Sequence, residues 1–101
     1  MNARDMIVRD GYDSLANVLL EALDQAQAGK GDERHGQDKD FQEQPMQMIQ
    51  QLVGQGFALG QAIKKCQEST RMNKEARKRE LLGAINYIAG AIIHDELEES
   101  K

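Results

Sequence analysis

The chain has 101 residues, 40% apolar and 30% charged, with four aromatic side chains and a net charge of −4. That length fits a single domain, 1–101, whose core must come from Leu, Ile, Val, Met and Ala, a composition that suits helices better than a β-sandwich. The acidic balance argues against general nucleic-acid binding, and no apolar run approaches the roughly 20 residues of a membrane span.

Residues 1–10 contain no signal-peptide core, so the expected location is the cytoplasm. The single cysteine, Cys66, excludes an internal disulfide and a thiolate cluster within one chain. Its place in an apolar helical pattern predicts a small buried hydrophobe.

The first helix is predicted from about Ser14 to Ala28, with Asp13 or Ser14 as the cap. Leu15, Leu19, Leu23 and Ala26 form its apolar stripe, and Gly29 and Gly31 stop it. Glu21 and Asp24 lie roughly opposite that stripe and are expected to be solvated. Residues 29–44 form a polar connection with one apolar side chain, Phe41, which reads as either a functional loop or a flexible linker.

A second helix is predicted from Pro45, suited to the first helical position, to about Ser69. Its stripe is Ile49, Leu52, Val53, Leu59, Ile63 and Cys66. Gly54, Gly56 and Gly60 interrupt it at about 1 kcal/mol each relative to Ala, which suggests a closely crossing neighbour at Gly56 and Gly60. Its polar face carries Gln61, Lys64, Lys65 and Glu68, with Phe57 one turn earlier.

The third helix is predicted from about Lys74 to Leu97, capped by Asn73. Leu81, Ile85, Ile88 and Ile92 form its main stripe, broadened by Leu82, Ala89 and Ile93. So much apolar surface calls for burial on more than one side. Basic residues crowd its start and acids its end, opposite to what the helix macrodipole favours. An antiparallel partner helix or a phosphate at the basic end compensates; a solvated charge run is the plainer alternative. The expected architecture is therefore all-α, a small bundle of about three helices completed by homo-oligomerisation.

A second line on the third helix runs through Glu80, Gly83, Tyr87, Gly90 and His94, with Asn86 beside it. It reads as a close helix crossing or as a ligand groove. If it meets the polar face of the second helix, Lys64 or Lys65 holds a phosphate and Phe57 stacks on a base. His35 and His94 lack zinc-ligand spacing, and neither a nucleophile elbow nor a P-loop occurs.

The run Glu80-Leu81-Leu82-Gly83-Ala84-Ile85-Asn86-Tyr87 resembles the Glu-Leu-Ile-Asp-Leu-Ile-Asn-Tyr stretch of small MazG-like, phage-type nucleotide pyrophosphohydrolases. Arg34-His35-Gly36, followed by Phe41, is similar to that family's basic-Tyr-Gly element. The resemblance implies an all-α fold, Glu80 as a ligand for Mg²⁺, and Asn86 and Tyr87 in a nucleotide pocket. It departs at Gly83, where the family has a metal-binding Asp; glycine offers no side-chain oxygen. Glu68 is the other helical acid placed to assist. Two functional readings follow. One is a MazG-like oligomer that binds or hydrolyses nucleoside phosphates, with Lys64, Lys65 or Arg79 on the phosphate; the missing Asp at Gly83 makes binding without hydrolysis its sub-case. The other is a non-enzymatic helical module that binds or inhibits another protein.

Overall fold

The computed structural model describes residues 6–28 and 40–99. Within them the chain forms four α-helices and a single 3₁₀ turn, with no strand. Helix α1 spans Asp13–Ala28, the 3₁₀ turn Phe41–Glu43, α2 Pro45–Val53, α3 Gly56–Ser69 and α4 Lys74–Glu99. Helices α3 and α4 form an antiparallel hairpin, against which α1 and α2 pack, α1 chiefly on α4. No helix among the described residues is long and apolar enough to cross a membrane. Arg34, His35 and Gly36 lie outside the described residues.

The all-α expectation holds, but the second predicted helix is two. Gly54 has φ +90°, a left-handed conformation that suits glycine, and its N–H closes α2 onto the carbonyl of Gln50 at 2.7 Å. The chain restarts at Gly56 in a new direction, so the two halves of the expected stripe no longer share a face. Leu52, Val53 and Ile63 are consequently exposed.

What α2 turns inward is polar. Gln47 and Gln50, each 1% exposed, both donate from Nε2 to the carbonyl oxygen of Gly90, at 3.0 and 3.3 Å. Gln50 Nε2 also reaches Gln47 Oε1 at 3.1 Å. After the break, Gln55 Nε2 donates to the Ala91 carbonyl at 2.7 Å. Buried polar atoms need such partners, and these side-chain amides fasten α2 to α4 at one turn. Gly90 makes the approach feasible, since a Cβ there would lie 2.7 Å from Met46 Sδ.

Apolar burial rests on small side chains: Ala22, Ala58, Ala62, Ala84 and Ala91, with Leu82. On α1 the covered strip is narrower than the expected stripe. Ala22 is buried, whereas Leu15, Leu19 and Leu23 are about half exposed. Small residues let α1 lie close to α4, while Leu15, one heptad before Ala22 and so on the same face, stays exposed. Cys66 is exposed rather than buried, because Ala58 and Ala62 set the inner face of α3. Gly56 and Gly60 face open space rather than a crossing helix.

The α3–α4 turn follows its local chemistry. Asn73 Oδ1 accepts the N–H of Ala76 at 2.9 Å, the expected cap of α4.

Candidate functional site: a groove between α1, α2 and the α3–α4 hairpin

Gly83 and Tyr87 of the small and polar line on α4, with Asn86 beside it, face a groove of about 820 Å³. One wall is α1, through Glu21, Asp24, Gln25 and Ala26. The opposite wall comes from Phe41, Gln44 and the first turns of α2. Leu82, Gly83, Asn86 and Tyr87 of α4 line it together with Phe57 and Lys65 of α3, and Arg79 contributes from the basic end. The volume lies within the usual range for small-molecule sites.

Lys65 is a partly buried charge held on several sides. Its stem lies across Gly83, where an added Cβ would sit 3.1 Å from Cδ and 3.2 Å from Cε. Its ammonium is 3.6 Å from Glu80 Oε1 and 5.8 Å from the centre of the Tyr87 ring. Tyr87 in turn meets Phe57 edge-to-face, with ring centres 6.3 Å apart and an angle of 77°. Ammonium, aromatic face and carboxylate thus hold one another in place. The absence of a side chain at Gly83 lets the lysine lie so close to α4.

Asn86 does two things. It lines the groove, and its Nδ2 donates to the carbonyl of Ala22 at 2.9 Å, tying α1 to α4. Gln25 Nε2 reaches the Arg79 carbonyl at 3.4 Å from the other side. Asn86→Asp should therefore loosen α1, because an acceptor-only carboxylate would face a carbonyl, at a cost of about 1–3 kcal/mol. Hydrogen exchange should rise in the α1 amides while α3 and α4 stay protected. Unchanged α1 protection would show that this bond does not hold the helix.

Of the residues singled out from sequence, Lys65, Arg79, Asn86 and Tyr87 line one groove. Glu80 adjoins it as the partner of Lys65. Lys64 and Glu68 are elsewhere on α3, paired with each other one turn apart at 4.0 Å. Glu21 and Asp24, expected on a solvated face, are exposed but on the groove wall, and Glu21 Oε2 accepts from Lys78 Nζ at 2.6 Å. Among the described residues, no three of His, Cys, Asp and Glu converge as a metal site would require. Of the α1 wall, sequence reasoning put only Ala26 on an inner face; Glu21, Asp24 and Gln25 were missed because the leucine stripe looked like the inner face. The lone aromatic at Phe41 was the available signal for the opposite wall.

Compared with known proteins, the chain matches no family model, and no curated protein or solved structure is significantly similar to it.

Proposed function

We propose that the groove binds a nucleoside phosphate or a related nucleotide and holds it without hydrolysing it. What supports the reading above all is Lys65. The MazG-like resemblance calls for a second carboxylate at position 83, to grip Mg²⁺ with Glu80. Here glycine stands at that position, and a lysine ammonium lies across it, 3.6 Å from Glu80. The chain supplies its own cation beside the carboxylate.

Lys65 and Arg79 offer N–H donors to phosphate, while Phe57 and Tyr87 offer aromatic surface to a base. The groove also carries side-chain amides, Gln25 and Gln44, suited to hydrogen bonding with a base edge. In this reading Mg²⁺ is not a resident cofactor. It enters, where it enters at all, with the phosphates of the ligand. The biological setting that goes with the resemblance is a phage or prophage protein that sequesters a nucleotide.

A thermal-shift screen against nucleoside mono-, di- and triphosphates and cyclic nucleotides, with and without Mg²⁺, tests the proposal. At a hundred times its dissociation constant a ligand adds about 2.7 kcal/mol, a rise on the order of 10 °C for so small a domain. The expected result is a rise that does not require Mg²⁺. A rise that depends strictly on Mg²⁺, with product release, would restore the hydrolytic reading; no rise with any nucleotide would overturn both.

A second reading is favoured by one observation. Leu15, Leu19, Leu20 and Leu23 of α1 are exposed together, a face suited to another protein. It fits a helical interaction module, and it is compatible with self-association. We also read the chain as a homo-oligomer.

A further inference from the structure

The outward face of α4 has a symmetry of its own. Lys74, Lys78, Leu81, Ile85, Ile88, Ile92 and Asp95 follow one another in alternating steps of four and three residues. That is the spacing of a coiled-coil seam. The middle of the seam is apolar, and three of its four side chains are exposed: Leu81 is 40% exposed, Ile88 46% and Ile92 58%, with Ile85 half-buried between them. Its start is basic and its end acidic, and both Lys78 and Asp95 are exposed.

Rotating the seam by a half-turn about a point between residues 86 and 87 maps it onto itself with opposite charge. Leu81 then meets Ile92, Ile85 meets Ile88, and Lys78 meets Asp95. A seam that is palindromic in apolarity and inverted in charge complements a second copy of itself running antiparallel. It repels the same copy running parallel, because lysine would then face lysine and acid would face acid.

We propose that this face is the homodimer interface, with α4 antiparallel to α4 of the partner copy about a two-fold axis near residues 86 and 87. The proposal rests on the homo-oligomeric reading and adds its surface, direction and register. Two features agree with it. Ile88 shares an apolar groove of about 640 Å³ with Leu59, Ile63 and Cys66 of α3, so the hairpin widens the face beyond one helix. The ligand groove lies on the other side of α4, lined by Gly83, Asn86 and Tyr87, so assembly leaves it open. Lys78 also reaches Glu21 of its own chain, and its three ammonium donors serve both carboxylates.

The test is sedimentation and light scattering across a concentration series, with circular dichroism confirming retained helix in every variant. The full chain should show twice the 11.3 kDa mass of one copy, or an even multiple of it. Ile88→Glu should shift it to the smaller species with a loss of at least a hundredfold in association. Lys78→Glu and Asp95→Lys should each weaken association about tenfold, and the double variant should recover it, because the swapped charges again face each other.

Monomer at all concentrations overturns both the oligomer and its interface. An oligomer indifferent to Ile88→Glu but broken by Leu19→Glu moves the contact to α1, overturning the interface while keeping the oligomer. Failure of the double charge variant to recover overturns the antiparallel register.

Discussion

Gly90→Leu is expected to lower stability by about 3 kcal/mol or more, and in so small a domain to leave much of the chain unfolded at 37 °C. The Cβ alone would sit 2.7 Å from Met46 Sδ, 2.8 Å from Met46 Cε and 3.3 Å from Gln47 Nε2. Leucine adds three further carbons in the same direction. They would displace the Gln47 and Gln50 amides from the Gly90 carbonyl, leaving buried donors and an acceptor unpaired. Each such loss costs about 1–3 kcal/mol. Gly90→Ala should be much milder, because the nearest atoms belong to the flexible end of Met46. Urea titration followed by circular dichroism separates the two. Equal midpoints for both variants would show that the amide cluster is not what holds α2.

Lys65→Met and Glu80→Gln are expected to act in opposite directions on nucleotide affinity. Methionine keeps an unbranched stem over Gly83 and removes the ammonium. A hydrogen bond to a charged group contributes about 1.5–3 kcal/mol, so the dissociation constant should rise roughly ten- to hundredfold. Glu80→Gln removes the carboxylate that competes with phosphate for the same ammonium. Affinity should then stay level or improve. A metal-gripping Glu80 predicts the reverse, a loss of Mg²⁺-dependent binding in Glu80→Gln. Titration calorimetry with whichever nucleotide gives the largest thermal shift distinguishes these outcomes. Weakening in both variants would return Glu80 to the role of a metal ligand.

Helix ends were the most legible part of the fold, because caps are local chemistry. Asn73 and Pro45 mark the starts of α4 and α2 through an acceptor oxygen and a fixed φ, and neither needs tertiary information. Facing was less legible. Helical periodicity shows that Leu15, Leu19 and Leu23 share a side of α1, but not that burial falls at Ala22, at the edge of that side, where α1 meets α4. The same limit applies to Cys66 and Ile63. Close packing through alanine and glycine selects small faces as inner ones, against the usual rule that the largest apolar residues go inside. The break at Gly54 was hidden among three glycines whose cost was visible while their φ angles were not.

The candidate site divides along the same line. Lys65, Tyr87, Asn86 and Phe57 could be placed on two helix faces from spacing alone, and the α3–α4 hairpin does bring those faces together. The Lys65–Glu80 pair needed the depth of Gly83 to be known. Gln47 and Gln50 were not legible, since long polar side chains are seldom fully buried and only the bare Gly90 carbonyl explains them.

Because α1 is fastened through Asn86 and Gln25 and also forms one wall of the groove, its docking equilibrium enters every affinity measured there. A site complete only while α1 is seated binds with an apparent constant equal to the intrinsic one divided by the seated fraction. A variant that left α1 seated about one-tenth of the time would weaken binding about tenfold without touching any ligand-facing atom. Conversely, a bound ligand spanning both walls holds α1 down and slows its exchange with solvent. Under the proposed nucleotide-binding reading, helix docking would set how long a ligand is retained, independently of the chemistry in the groove.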